Sequence, residues 1–175
     1  MCDHSEDDGI NQLITQVTEI YAGEGAVVDY YNLEENATCV QRVSSTFVHQ
    51  AATSNVLVNG ITLRNGTTRD NYHIALDGEG CETQLCGMAI ADGDKKVDVY
   101  SHIDHRAAHC TSNELFKFVL DENAIGSFAQ EEIDQLSEKL PSFDSYGVYL
   151  ILELFFTYIR ARWIKVAICS RVSVV

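Results

Sequence analysis

An all-β fold is predicted for this chain from three observations. From Leu13 to Phe128 the sequence consists of β-branched and aromatic runs separated at short intervals by Gly, Asn and Asp. No helical hydrophobic period is sustained there for more than a few positions. The dipeptides Asn59-Gly60, Asp77-Gly78 and Asp92-Gly93 each close an apolar run with residues that tolerate a left-handed backbone. These features predict either a β-sandwich or a stacked β-solenoid.

Eight strands are predicted, each rich in residues that favour a pleated backbone. In chain order they are Val27–Tyr31, Thr38–Phe47, Asn55–Leu63, Asn71–Leu76, Gln84–Ile90, Val97–Ile103, Leu115–Leu120 and Ala124–Phe128. Turn residues separate them at Gly23 and Gly25, Asn59-Gly60, Asn65-Gly66, Asp77-Gly78, Asp92-Gly93 and Asp121-Glu122-Asn123. The three dipeptides that close apolar runs are unevenly spaced along the chain, so their spacing does not decide between the two architectures.

The charge of the chain excludes several classes of partner. The 175 residues carry 26 Asp and Glu against 12 Lys and Arg, a formal charge of −14. Nucleic acid and anionic membranes are therefore not expected as partners, because both require clustered basic residues. The N-terminal segment lacks the basic and apolar regions of a secretory signal, which indicates the cytoplasm. The six cysteines are accordingly expected to be reduced, and they contain no Cys-x-x-Cys pair.

Composition changes after Ala129, which predicts a domain of residues 1–129 and a distinct tail of residues 130–175. The first part is strongly acidic, whereas residues 154–175 carry four basic side chains and no acid. The apolar spacing in Gln130–Leu140 predicts a helix ended by Pro141. Val148–Ile159 is apolar but too short to cross a bilayer, and it is interpreted as a packing element, with a membrane-surface helix as the alternative.

The densest polar cluster lies between Ser101 and Glu114. It contains His102, His105, His109 and Cys110, which are the residue types that bind zinc or iron, but at no established spacing. In an extended strand His102 and His105 face opposite sides, so the alternative is a strand and turn whose imidazoles satisfy buried groups. The acidic loops, including Asp92-Gly93-Asp94, do not match a calcium loop and are interpreted as solvated turns. No catalytic or cofactor-binding residue is predicted, since no phosphate loop, dinucleotide fingerprint or nucleophile elbow occurs.

Several separated blocks resemble the SufB/SufD family, in the family's order, over about residues 1–129. The blocks are Thr15–Ile20, Tyr31–Ala37, Asn71–Gly78 and Asp104–Leu115, followed by Phe116–Leu120 and Gly126–Phe128. The Asp-His-x-x-x-His-Cys-x-Ser segment that begins at Asp104 is most similar to SufD. The resemblance implies a right-handed parallel β-helix, a single-stranded β-solenoid, that serves as a non-catalytic scaffold for iron–sulfur cluster assembly with SufB-like and SufC-like partners. It implies that iron or a cluster is held only transiently, within the full complex.

The resemblance also has limits that shape the expected function. The late Cys-x-His segment of the family's cluster site and its SufC-docking helical domain have no counterpart here, so the chain is expected to be impaired as a scaffold. Residues 130–175 do not resemble the family and are interpreted as a partly helical cap or as the product of a frame change or gene fusion. Two other functions stay open: a metal-binding β-solenoid module and a carbohydrate-active β-helix enzyme.

Overall fold

The computed structural model describes residues 2–5, 9–134, 152–153 and 165–174, and all regular structure in these ranges is β-strand. The strands are β1 Cys2–His4, β2 Gln12–Ala22, β3 Val27–Glu35, β4 Val40–Gln50, β5 Asn55–Arg64, β6 Thr67–Leu76, β7 Glu82–Ala91, β8 Lys96–His105, β9 Thr111–Leu120, β10 Ile125–Asp134, β11 Leu152–Glu153 and β12 Lys165–Val174. No helix of these residues is long and apolar enough to span a membrane.

Successive strands from β2 to β10 alternate between two sheets, and each pairs with the strand two places along the chain. Sheet A has the order β1-β3-β5-β7-β9-β12-β11, and sheet B has the order β10-β8-β6-β4-β2. Every pair from β1 to β10 is parallel, and nearly all are in continuous register. The result is a parallel β-solenoid of about four turns, as the resemblance implied.

Residues one complete turn apart become neighbours, and the alternation of side chains along each strand builds the core. Ile74 pairs with Ile103 in sheet B, and Val56 pairs with Thr83 in sheet A. Burial alternates along most strands, as expected for a sheet with one enclosed face. The apolar interior is formed chiefly by Val56, Val58, Tyr72, Ile74, Leu76, Leu85, Val97, Val99, Ile103, Phe116 and Phe118.

The turns from sheet B to sheet A repeat the same backbone conformation. Gly25, Thr53, Gly80 and His109 occupy equivalent positions, and all four have a positive φ between 58° and 73°. The turns are linked by backbone hydrogen bonds, since the amide of Gly25 donates to Ala52 O and the amide of Gly80 donates to Ala108 O. Each turn is thus placed on the next by the same contacts.

The eight strands predicted from sequence are all present, and most extend further than predicted. Strand β2 was not predicted as a separate element, although it provides the first strand of sheet B. The turn predicted at Asn59-Gly60 is wrong, because both residues lie inside β5. Gly60 is instead required by packing, since a Cβ atom there would come too close to the Tyr72 hydroxyl oxygen.

The helix predicted for Gln130–Leu140 is wrong over residues 130–134, which belong to β10. The parallel pairing of β10 with β8 takes precedence over the helical spacing of three apolar residues, because it satisfies a full row of backbone groups. Residues 135–140 lie outside the described residues. Of the apolar run Val148–Ile159, only Leu152 and Glu153 are described, as β11, which pairs with β12. The division at residue 129 stays a prediction.

Candidate functional site

The four residues of the predicted His/Cys cluster are distributed over both faces of the solenoid. His105 and Cys110 are buried in the interior, with 2% and 1% of their surface exposed. His102 is half-buried on the outer face of β8, and the His109 side chain is 77% exposed at a turn. Across the described ranges, no group of three or more His, Cys, Asp and Glu side chains is arranged to hold a metal ion.

His105 and Cys110 make interior contacts that are typical of structural residues. His105 Nε2 lies 3.0 Å from Ser112 Oγ and 3.4 Å from Glu132 Oε1. The Cys110 thiol donates to Gly78 O at 3.2 Å, and the buried Cys81 thiol donates to the same oxygen at 3.0 Å. Burial raises the pKa of the Cys110 thiol, which keeps it in the unreactive neutral form.

His109 is held by backbone geometry rather than by its imidazole. Its φ of 58° is the left-handed conformation that Gly25 and Gly80 adopt at the equivalent turns. The imidazole Nε2 lies 3.7 Å from Glu79 Oε1, a pair in which both side chains are more than two-thirds exposed. A pair this exposed contributes little to stability. The turn therefore determines where His109 lies, and its side chain extends into solvent.

His102 belongs to a row of side chains on the outer face of sheet B, which we call the outer column. The column runs in register across four neighbouring strands, from Phe47 on β4 through His73 and His102 to Glu131 on β10. The rings of Phe47 and His73 are stacked with centroids 4.9 Å apart. The centroids of His73 and His102 are 6.0 Å apart, and His102 Nδ1 lies 3.5 Å from Glu131 Oε2. The column therefore brings two imidazoles and one carboxylate onto one exposed face.

The environment of the outer column shifts the pKa values of His73 and Glu131. Burial, followed by the neighbouring His102, lowers the pKa of His73, so this imidazole is neutral at neutral pH. The hydroxyl of Tyr100 donates to Glu131 Oε2 at 2.8 Å. That hydrogen bond, together with His102, lowers the pKa of Glu131 and keeps it ionised. An ionised carboxylate beside an imidazole orients the ring.

A second group of charged residues is enclosed inside the solenoid. Arg42 Nη1 donates to Asp70 Oδ1 at 2.7 Å and lies 3.7 Å from Glu34 Oε2. Glu34 also accepts hydrogen bonds from Asn36 Nδ2 at 3.0 Å and from Thr68 Oγ1 at 2.9 Å. Burial raises the pKa of Glu34, and Arg42 opposes this shift. The cluster is almost inaccessible to solvent, which indicates a structural role.

The acidic loops line a groove with a volume of about 450 Å³ that is open to solvent. Two of its acids already have partners. The ammonium group of Lys95 contacts Asp92 Oδ1, and Asp94 Oδ1 accepts a hydrogen bond from Asn123 Nδ2 at 3.2 Å. These contacts fit the interpretation of Asp92-Gly93-Asp94 as a solvated turn.

Comparison with known proteins agrees with this fold. The model of the SUF system FeS cluster assembly SufBD core domain matches residues 1–131, three-quarters of the chain. The chain belongs to the SufBD core family. A SufBD family protein of iron–sulfur cluster assembly from Synechocystis sp. is 24% identical to it over 136 residues, which are 78% of this chain and 30% of that protein. The chain thus spans less than a third of that relative's length. No solved structure is significantly similar to this SufBD core chain.

Three members of the outer column, Phe47, His73 and Glu131, were not predicted, although the sequence contains a signal for the two charged or titratable ones. His73, His102 and Glu131 follow one another at equal intervals, and that interval is one turn of the SufBD core solenoid. Considered by proximity in the sequence alone, His102 belongs with the histidines that follow it, His105 and His109. Residues one turn apart are neighbours in a solenoid, so the longer interval identifies the groups that meet.

Proposed function

We propose that this chain is a SufD-like, non-catalytic scaffold element of iron–sulfur cluster assembly. It would act in the cytoplasm in a complex with SufB-like and SufC-like proteins, with iron or a cluster as cargo rather than as a resident cofactor. The match of the SufBD core model to residues 1–131 is the observation that carries the proposal. The Synechocystis relative is itself described as a SufBD family protein of iron–sulfur cluster assembly.

The SufD-like block supports the family assignment because its contacts hold the solenoid together, not because they form a reactive site. The block from Asp104 to Leu115 forms the end of β8, the turn that follows it and the start of β9. Arg106 connects Asp104 Oδ2, at 2.6 Å from its Nε, with Asp77 Oδ1, at 2.8 Å from its Nη1. Asp77 belongs to the turn one rung earlier, so the block links adjacent turns of the solenoid.

The outer surface of the solenoid suits a scaffold. Parallel strands in register place side chains in straight rows across two long sheets, and sheet B presents several exposed apolar side chains on its first two strands. These are Leu13, Val17, Tyr21 and Val43, each at least 40% exposed. Exposed apolar groups in rows are features of surfaces that contact other proteins.

Co-purification tests the scaffold proposal directly. The full chain, carrying a cleavable tag, is co-expressed with SufB-like and SufC-like proteins from one organism, and complexes are separated by size-exclusion chromatography with mass measurement. We expect a stable complex that contains the SufB-like protein. An unrelated parallel β-solenoid serves as the matched control. Absence of any complex, with the chain shown to be folded, would contradict the proposal.

A further inference from the structure

We propose that His73 and His102 together bind one first-row divalent cation, such as Zn²⁺ or Ni²⁺, on the outer face of sheet B. The two residues are direct register partners on adjacent parallel strands, β6 and β8. The proposed site follows from the geometry of the outer column and does not depend on the scaffold function. It also differs from the sequence-based cluster, because it replaces His105, His109 and Cys110 with His73.

The spacing of the two rings is suited to a shared ion. Their centroids lie 6.0 Å apart, and the ring planes are inclined by 46°. Bonds from a cation to imidazole nitrogens are about 2.0 to 2.1 Å long. The space between the rings therefore accommodates one ion after small side-chain rotations, with water completing its coordination. Imidazole is a preferred ligand for Zn²⁺, Ni²⁺ and Cu²⁺.

The neighbours of the pair leave nitrogen atoms available for binding. A metal ligand must be a neutral imidazole, and the lowered pKa of His73 supplies this form. Glu131 faces His102 Nδ1 at 3.5 Å, on the side opposite to His73. This places a carboxylate behind one ring nitrogen and leaves Nε2 of the same ring for a metal, which is the common carboxylate–histidine–metal arrangement.

The histidine at position 49 lacks this arrangement, which makes it a matched control. His49 also lies on the outer face of sheet B, half-buried, with its ring stacked on Tyr21. Its register partner on β6 is Ala75, so no imidazole lies opposite it on that neighbouring strand. His49 Nδ1 is also engaged by Asp77 Oδ2 at 3.1 Å. A cation that simply prefers exposed imidazoles would bind His49 as well as the proposed pair.

The test is a Ni²⁺ titration of the full chain without a histidine tag, in a His4→Asn background that removes the histidine nearest the N-terminus. Binding is measured by calorimetry, and the histidine resonances are followed by NMR because Ni²⁺ broadens signals close to it. We expect one equivalent of Ni²⁺, with the His73 and His102 resonances broadened first. His73→Asn and His102→Asn should each abolish saturable binding, Glu131→Gln should weaken it about tenfold, and His49→Asn should leave it unchanged.

Circular dichroism and thermal unfolding of each variant separate loss of the site from loss of the fold. Three results would overturn the proposal: no saturable binding to the folded chain, binding that survives His73→Asn in a folded variant, or broadening of His49 ahead of the pair. Any of them would leave the outer column as a stacked aromatic surface. None would affect the co-purification test, which depends on a different property.

Discussion

Arg42 Nη1 lies 2.7 Å from Asp70 Oδ1 in the interior of the solenoid, where the Arg42 side chain is fully enclosed and that of Asp70 is 9% exposed. Glu34 completes the cluster, with one carboxylate oxygen 3.7 Å from the same guanidinium nitrogen. One cation is thus shared by two buried carboxylates, and hydroxyl and amide donors supply further hydrogen bonds to Glu34. Removing Arg42 would take away the cation that these two buried carboxylates share.

Replacing Arg42 should therefore destabilise the fold strongly. We expect Arg42→Met to lower the free energy of unfolding by about 3 to 5 kcal/mol, the usual cost of breaking a buried ion pair from one side. Arg69→Met is the matched control, because Arg69 pairs with Asp98 on the neighbouring strand of the same sheet with both side chains about 40% exposed. That variant should lower the free energy of unfolding by no more than about 1 kcal/mol. Urea unfolding measures both, and equal losses would contradict the prediction.

The buried Glu34 should produce a characteristic dependence of stability on pH. Its pKa is raised above the ordinary 4.5, mainly by burial. The folded chain therefore keeps this proton to a higher pH than the unfolded chain does. As pH rises above the ordinary value and through the folded pKa, the wild-type chain should lose stability relative to Glu34→Gln.

Glu131 provides a contrast of opposite sign for the same experiment. Its pKa is lowered from 4.5 by the Tyr100 hydroxyl and by His102, so its contribution to stability is present above 4.5 and is lost as pH falls through the folded pKa. Urea unfolding of the wild-type chain, Glu34→Gln and Glu131→Gln over a pH series from acid to neutral measures both trends. A Glu34→Gln difference that does not change with pH would refute the first prediction.

His109 should be replaceable by glycine without loss of the fold. Its φ of 58° is costly for a residue with a Cβ atom, and Gly25 and Gly80 occupy the equivalent positions. Relief of this strain opposes the greater freedom of glycine in the unfolded chain, so we expect His109→Gly to change the free energy of unfolding by less than about 1 kcal/mol. Thermal unfolding and metal content measure the outcome. A folded variant that loses bound zinc or iron present in the wild-type chain would instead favour the cluster predicted from sequence.

Gly78 should be among the least tolerant positions of the chain. A Cβ atom there would lie 2.0 Å from the backbone nitrogen of Ala52, in the adjacent turn, and backbone cannot move aside as a flexible side chain can. We expect Gly78→Ala to lower the free energy of unfolding by about 1 to 3 kcal/mol. Gly23→Ala is the control, since a Cβ atom there meets nothing within 4 Å. Comparable stabilities of the two variants in urea would show that the turns do not stack as described.

Strands in this fold are predictable from sequence, whereas their long-range neighbours are not. Runs such as Val97–Ile103 are identified locally, because strand propensity and alternation are properties of adjacent residues. The pairing of His73 with His102 depends on the length of a complete turn, and the uneven spacing of the Asn-Gly and Asp-Gly pairs conceals that length. Asn59-Gly60 further obscures the turn length, because it was interpreted as a turn although Gly60 lies inside β5 and is required by packing against Tyr72.

The candidate site illustrates the same limit. His109 and Cys110 are adjacent in sequence, yet one is exposed in a left-handed turn and the other is enclosed, because a turn reverses the local direction of the chain. The buried cluster of Glu34, Arg42 and Asp70 was also not predicted. Nothing in the local sequence indicates that three charged residues on three strands meet inside the solenoid.

One edge of sheet A is formed by the C-terminal tail, which adds β12 beside β9. An uncovered strand edge carries unpaired backbone groups, and such an edge promotes self-association. Strand β12 pairs antiparallel with β9 along its whole length, from Lys165 opposite Leu120 to Val174 opposite Thr111. The tail thus covers the edge of β9. We expect deletion of residues 141–175 to lower solubility and to produce oligomers, measured by size-exclusion chromatography with light scattering.

A point variant separates the strand pairing from the other effects of a deletion. Ile168→Pro removes one backbone donor from the middle of β12 and disfavours its place in a sheet. In the full-length chain this variant should increase self-association in the same direction as the deletion, and less strongly, because most of the strand is retained. Glu24→Gln changes an exposed residue in a distant turn and is the control. It should leave solubility and oligomeric state unchanged. A soluble, monomeric deletion product would show that the edge of β9 needs no cover.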